Sequence, residues 1–430
     1  MSRIITLLIL LAIGFQSAQA QRYSKRKIRK DLEELPGFKQ AFVAFELYNP
    51  DRDQVIAEKY SNKFMTPASN TKLFTLWAFS RLGDFELVPA LEFIEKGDSL
   101  VFWSTGYPLT LHPDHSDSTV IEFLRSSPKD LYYWPRPMVD QRFGPGWGWD
   151  DYPYYFGAEK SVFPIYGNSI RFIVNSTDQT YEMSPNHQGF QVRVNEELKE
   201  RVRLTRDEFW NEFDLHYKKV TANTEQVIDT LIRPFRYSNT LFADLLSGVI
   251  NKEIQTIDDF KRPEDYQTLK GVPTDSLNQW MMKPSDNLMA ESMLLMISGF
   301  MSDTLSTTAG IDSLALDGLN IVDGSGLSRY NMFTPDQIIH YLRSLYGWYG
   351  EDLLTFLPQG GTSGTLKDWY GPYVFAKTGT LSNNHALSGF IKTKRNNLLA
   401  FSIMVNHYTE PTSTIRESIG VILEKIYNAY

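Results

Sequence analysis

Cysteine is absent from all 430 residues. That excludes disulfides, a thiol nucleophile, cysteine-based zinc sites and a lipid anchored on a cysteine. Histidine is scarce, at 7. His112 and His115 share a Pro/Asp-rich loop, but zinc needs three or four convergent ligands, so the pair reads as structural. His385 and His407 flank strand-like runs and read the same way. Cations are outnumbered, 43 Lys and Arg against 51 Asp and Glu, leaving a net charge of -8 and a pI near 5.5. A nucleic-acid partner needs the opposite sign. No repeat of fixed period is present. The turn Asp323-Gly324-Ser325-Gly326 lacks a following phosphate-loop lysine, which argues against a nucleotide site. The apolar run Ile4–Phe15 is twelve residues long, short of the roughly 20 that span a bilayer.

That run has another reading. Arg3 precedes it and the small-x-small site Ala18-Gln19-Ala20 follows, so residues 1–20 are expected to be a signal peptide. A buried N-terminal helix or strand is the alternative. Arg22, Lys25, Arg26, Lys27, Arg29 and Lys30 come next and read as the solvated face of a short helix; contact with anionic lipid or polymer is the alternative.

What is present suits an ordinary soluble enzyme, with 42% hydrophobic and 22% charged residues. The length allows two domains, or one with a large insertion. Near the front, Ala41–Tyr48 and Gln54–Tyr60 are strand-like, and Asn49–Asp53 between them is turn chemistry, predicting a hairpin. Leu73, Leu76, Trp77 and Leu82 follow at helical spacing, with Gly83 as a stop. Near the end, Tyr373–Leu381, Ala386–Lys392 and Leu398–Asn406 read as a meander. A terminal helix carries Ile415, Ile419, Ile422 and Ile426 on one face. One sheet built from both ends of the chain is therefore expected. The aromatic-rich middle reads as an inserted, mostly β module. The expected domains are 21–91 with 234–430, and an insertion over 92–233.

Three short motifs carry chemistry. In Pro67-Ala68-Ser69-Asn70-Thr71-Lys72, a serine and a lysine three apart share one helix face. Serine needs a base within hydrogen-bond reach, and lysine serves only if burial and nearby positive charge lower its pKa. A helix cap with a solvated lysine is the bland alternative. Ser285-Asp286-Asn287 precedes a helix, where Ser285 could relay a proton and Asn287 hold an amide; an N-cap cluster is its alternative. Lys377-Thr378-Gly379-Thr380 lies in a strand-like run. Its lysine and hydroxyls suit a terminal carboxylate, and its glycine lets substrate backbone approach; a strand ending in a glycine turn is the alternative. All three occur in order, each on the element its chemistry requires, as in class A β-lactamases and penicillin-binding proteins.

With Asp323-Gly324-Ser325-Gly326-Leu327-Ser328-Arg329, these motifs make the chain resemble the class C, low-molecular-mass penicillin-binding proteins from about Phe42 to the C-terminus. Class A β-lactamases have far fewer residues between the first two motifs than the 212 between Lys72 and Ser285. The resemblance implies a transpeptidase-like α/β domain, its antiparallel sheet flanked by helices and interrupted by a β-rich insertion. It implies a D-Ala-D-Ala carboxypeptidase and endopeptidase acting on peptidoglycan stem peptides in the periplasm, acylated by β-lactam antibiotics and requiring no cofactor or metal. Ser69 would be acylated and Lys72 would be the base, with Ser285 and Asn287 completing the proton path. Lys377 and Thr378 would hold the D-alanine carboxylate, and the N–H groups of Ser69 and Thr380 would form the oxyanion hole beside Gly379. Gly146–Tyr152 resembles a family segment that supplies an acidic residue to the cleft. Asp151, Phe156 and Arg329 are thus candidates for gripping the stem-peptide side chain, with core packing the alternative for Asp151 and the tryptophans. The rival functions are a serine β-lactamase and a non-catalytic peptidoglycan-binding protein on the same fold.

Overall fold

The two ends of the chain meet in one sheet. The computed structural model describes residues 23–82, 86–199, 201–218, 227–314, 318 and 320–430. The expected signal peptide and the Gly83 helix stop lie outside them. The chain divides into two units, residues up to Leu73 with Met332–Tyr430, and Phe74–Asn331.

In the first unit, five antiparallel strands run in the order Val374–Leu381, Asn384–Lys392, Leu398–Asn406, Phe42–Asn49 and Gln54–Lys59. The C-terminal meander thus pairs with the N-terminal hairpin through Phe42↔Asn406 to Tyr48↔Ala400. Leu398–Asn406 is apolar along nearly its whole length because both of its faces are covered. On one face lies the helix Thr412–Ala429, whose Ile415, Ile419, Ile422 and Ile426 are fully buried in a core with Val43, Leu47, Leu387 and Ile403. Helix Pro335–Tyr349, started by a Thr334/Gln337 capping box with proline in its first turn, also packs on the sheet. The hairpin turn closes as its sequence requires: Asn49 Oδ1 accepts the Arg52 N–H at 3.1 Å, and Asp53 takes a left-handed φ of 48°.

The basic run forms the helix Lys25–Glu34. Its Ile28 and Leu32 are buried in the same core. Its surface pairs, Lys25–Glu58 at 3.6 Å and Lys59–Glu33 at 3.2 Å, each contribute at most about 1 kcal/mol. Apolar packing holds this helix.

The second unit is built around the helix Asn287–Gly299, buried at every residue from Leu288 to Gly299. A five-stranded sheet runs Ile254–Thr256, Asp130–Tyr133, Ser99–Ser104, Leu87–Lys96 and Gln267–Pro273, and two three-stranded sheets lie within residues 169–234. The clustered aromatics go largely into its core: Trp103 packs with Trp134, Phe260 and Tyr266, and its indole N–H donates to Glu92 at 2.6 Å. The α/β class read from the sequence, with an antiparallel sheet and flanking helices, is the class observed.

One core residue has a measurable consequence. Glu46, 2% exposed, faces Glu58 and Ser402 across the strands. Burial, then Asp336 and Glu58, push its carboxyl up to about 7, against a smaller opposing effect of Arg343. Because its folded pKa exceeds the unfolded value, the proton's stabilisation is complete below about pH 4 and lost as pH rises through 7. Glu46→Gln should therefore leave stability near pH 4 unchanged and raise it by about 1 kcal/mol at pH 8. Urea unfolding at the two pH values reads this, and an equal effect at both would show Glu46 to be ionised.

Candidate active site

Ser69 sits on the 3-10 turn Ala68–Asn70, immediately before the helix Thr71–Leu82. The turn depends on Ala68 adopting φ +47°, a left-handed conformation that costs a non-glycine residue about 1 kcal/mol or more. Its neighbours hold it there. Thr71 Oγ1 donates to the Ala68 carbonyl at 2.9 Å, and Asn70 Nδ2 donates to the Lys377 and Ala386 carbonyls at 2.9 and 3.4 Å. Asn70 thereby ties the serine turn to the strand Val374–Leu381. Lys72, fully buried, donates from Nζ to Ser69 Oγ at 3.1 Å. The serine itself is only half-buried.

Gly379 has a tighter constraint than the expected approach of substrate. A Cβ there would overlap the Pro67 carbonyl oxygen and lie 2.9 Å from the backbone nitrogens of Ser69 and Asn70. The serine turn occupies the space that any side chain at 379 would need. Next to it, Lys377 is fully buried and donates from Nζ to the Thr378 carbonyl at 2.8 Å. Burial, then the charge of Lys72, hold the Lys377 amine well below the ordinary lysine range. The Thr378 hydroxyl shares a hydrogen bond with Thr365 at 2.8 Å, and exposed Thr380 is 2.8 Å from His385 Nδ1. The first and third motifs are thus one packed constellation in the first unit.

The second motif belongs to the second unit. Ser285 is left-handed, with φ +67°. Asp286 caps the buried helix through Met289 N–H at 2.8 Å and donates its own N–H to Met281 at 3.0 Å. Asn287 Nδ2 donates to the Phe156 carbonyl at 2.9 Å, fixing the aromatic turn Tyr155–Gly157. Upstream, Gly146–Asp151 is fastened to the loop Asp323–Arg329. Arg329 N–H donates to Gly146 O at 3.1 Å, Ser328 Oγ to Pro145 O at 2.7 Å and Trp147 Nε1 to Asp323 at 2.9 Å. Asp151 is half-buried; burial and Asp150 raise its pKa, and Arg329 partly opposes them. Trp149 is 71% exposed, so core packing does not account for it. Asp151 and Arg329 interact, and Phe156 and Asn287 are joined.

Sequence reasoning missed the carboxylate beneath this loop. Glu291, one turn beyond Asn287 and fully buried, accepts the Gly324 and Ser325 N–H groups at 3.1 and 2.8 Å. Lys160 lies 3.7 Å from it and 2.6 Å from Asp140. Burial raises the Glu291 carboxyl to about 7, with Lys160 opposing. A glutamate in an otherwise apolar helix is a signal that a buried partner exists. The partner's position, 131 residues earlier, was beyond sequence pattern.

Comparison with known proteins gives the fold and the family. The chain is 24% identical to D-alanyl-D-alanine carboxypeptidase DacB of Haemophilus influenzae, over 85% of its length and 86% of that protein's. It is 23% identical to penicillin-sensitive carboxypeptidase A of Dictyostelium discoideum, over 89% and 86%. In architecture it matches the crystal structure of penicillin binding protein 4 (dacB) from H. influenzae with a TM-score of 0.72 at 20% identity, covering 93% of this chain and 99% of that one. The model of the D-Ala-D-Ala carboxypeptidase 3 (S13) family matches residues 137–426, a span that holds the second and third motifs, the Gly146–Gly157 segment and the Glu291-bound loop. With two-thirds of its residues in that span, the chain belongs to the S13 D-Ala-D-Ala carboxypeptidase family.

Proposed function

We propose that this protein is a serine D-alanyl-D-alanine peptidase that cleaves peptidoglycan stem peptides through an acyl-enzyme on Ser69. The observation that carries the reading is the buried Lys72 amine 3.1 Å from the Ser69 hydroxyl, the reach a general base requires. Lys72 takes the hydroxyl proton as Oγ adds to the penultimate D-alanine carbonyl. The backbone N–H groups of Ser69 and Thr380 stabilise the oxyanion, the largest single contribution expected in such a step. Ser285, with Asn287, passes the proton to the departing amine, and Lys377 and Thr378 bind the terminal carboxylate. Water then repeats the sequence on the ester. A β-lactam offers Ser69 the same electrophile, which makes it a covalent inhibitor; the H. influenzae relative has been solved with a β-lactam bound.

Asp151, Phe156 and Arg329 serve in this reading as the grip on the stem-peptide side chain. A diaminopimelate end, one amine and one carboxylate, matches the Asp151–Arg329 pair in charge. A cross-link presents the same D-alanine carbonyl with a larger leaving group, so endopeptidase cleavage follows from the same chemistry. Peptidoglycan lies outside the cytoplasm, which accords with an export signal over residues 1–20, a periplasmic location and an insertion over 92–233 that carries substrate-recognition loops. Among the described residues no helix is long and apolar enough to cross a membrane.

Incubation with a fluorescent penicillin should label the wild-type chain for many minutes, and peptide mass spectrometry should place the adduct on Ser69. Ser69→Ala should abolish labelling, and Lys72→Ala should slow it by about 10²–10⁴-fold. Turnover within seconds would make the protein a β-lactamase. Binding of cell-wall fragments without D-alanine release would make it a non-catalytic binder.

Gly379→Ala should keep its circular dichroism and lose about 10²-fold in acylation rate, because the added methyl displaces the serine turn. Acylation at the wild-type rate would show that the turn tolerates the methyl.

A further inference from the structure

Among the described residues, His385 is the buried histidine whose ring reaches the substrate-binding strand. It is 1% exposed, and its Nδ1 is 2.8 Å from the hydroxyl of Thr380, which faces solvent. Its Nε2 is buried and has no hydrogen-bond partner among the described residues. Burial and then the charge of Arg416 hold the ring neutral, with a pKa lowered to about 3. The Arg416 guanidinium lies over the Trp369 ring, 4.9 Å from its centroid, and its buried Nε likewise has no hydrogen-bond partner among those residues.

A neutral imidazole has one N–H and one lone pair, and the structure discriminates between the two placements. A hydrogen on Nε2 would be a buried donor with no acceptor, whereas a lone pair there leaves no donor unpaired. The hydrogen therefore belongs on Nδ1, where its acceptor can only be Thr380 Oγ1. A hydroxyl that accepts from within keeps its own hydrogen free to turn outward.

We infer that His385 is a positioning residue that carries its hydrogen on Nδ1 and thereby makes the exposed Thr380 hydroxyl an outward hydrogen-bond donor to the anionic end of the substrate. His385 acts through Thr380 and does not itself touch substrate. The effect on catalysis rests on the peptidase reading above; the tautomer does not.

The experiment has two arms. In the first, the full-length chain is labelled with ¹⁵N-histidine, and the His385 resonances are identified by their loss in His385→Asn. Long-range ¹⁵N–¹H correlation at pH 7 should show a protonated Nδ1 and a bare Nε2. A protonated Nε2 overturns the inference, whatever the protein's activity. In the second arm, penicillin acylation rates are compared between variants of equal melting temperature. An asparagine at this position places an amide N–H near the site of Nδ1, so His385→Asn should stay within about 3-fold of wild type. His385→Leu and His385→Gln should fall about 10-fold. In a Thr380→Val background, His385→Leu should cause no additional loss. Equal losses for His385→Asn and His385→Leu, or a full His385→Leu effect in the Thr380→Val background, overturn the positioning role. A wild-type chain that forms no adduct refutes the peptidase reading instead, and leaves the first arm to decide the tautomer.

Discussion

Burying two lysine amines beside one serine turn is the constraint on which the rest of the first unit depends. An ammonium in an apolar interior is costly, and a second one nearby adds repulsion. Lys377 answers that cost with a depressed pKa and a hydrogen bond to the Thr378 carbonyl. Lys72 donates to the Ser69 hydroxyl. Such an arrangement persists only on rigid support, and the central strand Leu398–Asn406 and the isoleucine face of the terminal helix supply it. Each deeply buried aliphatic side chain there contributes roughly 1.5–3 kcal/mol. The packing looks generic, but it is what fixes strand Val374–Leu381 against the serine turn.

Backbone strain follows the same division of labour. Ala68 and Ser285, the residues with positive φ inside the first two motifs, are both non-glycine, and each is over-determined by its neighbours. Asn70 and Thr71 lock the first; the Asp286 cap and its bond to Met281 lock the second. Glu291 performs a similar service for the Asp323–Arg329 loop, accepting two backbone N–H groups that would otherwise be buried without a partner. Asp323 takes up Gly326 and Ser328 N–H at 2.9 and 2.7 Å. A loop held by two buried carboxylates is a firm platform for Arg329.

Much of this was legible in the sequence because local periodicity and tertiary demand agree. The hairpin and the C-terminal meander appear within one or two residues of where alternation puts them, and the terminal helix where the Ile415–Ile426 spacing puts it. Ser69 with Lys72, and Ser285 with Asn287, were legible as motifs because spacing along one turn is a local property. Gly379 was legible as a necessary glycine, although its nearest constraint is the serine turn. What was illegible depends on distant partners. Nothing local distinguishes Lys160 from a surface lysine, or His385 from any histidine at a strand end. Both matter because of residues that only the fold brings to them.

The two units also differ in the charged groups they gather. The constellation around Ser69 gathers two fully buried lysine amines, Lys72 and Lys377. In the proposed reading they serve the nucleophile and a terminal carboxylate. The Gly146–Gly157 segment carries the exposed Trp149 and the adjacent acids Asp150 and Asp151, with Arg329 opposing them in charge. That composition suits a zwitterionic side chain with an aliphatic stem. In the proposed reading the nucleophile, its base and the carboxylate-binding strand come from the unit whose sheet joins the chain's ends, whereas Ser285, Asn287 and the side-chain-recognition loops come from its middle.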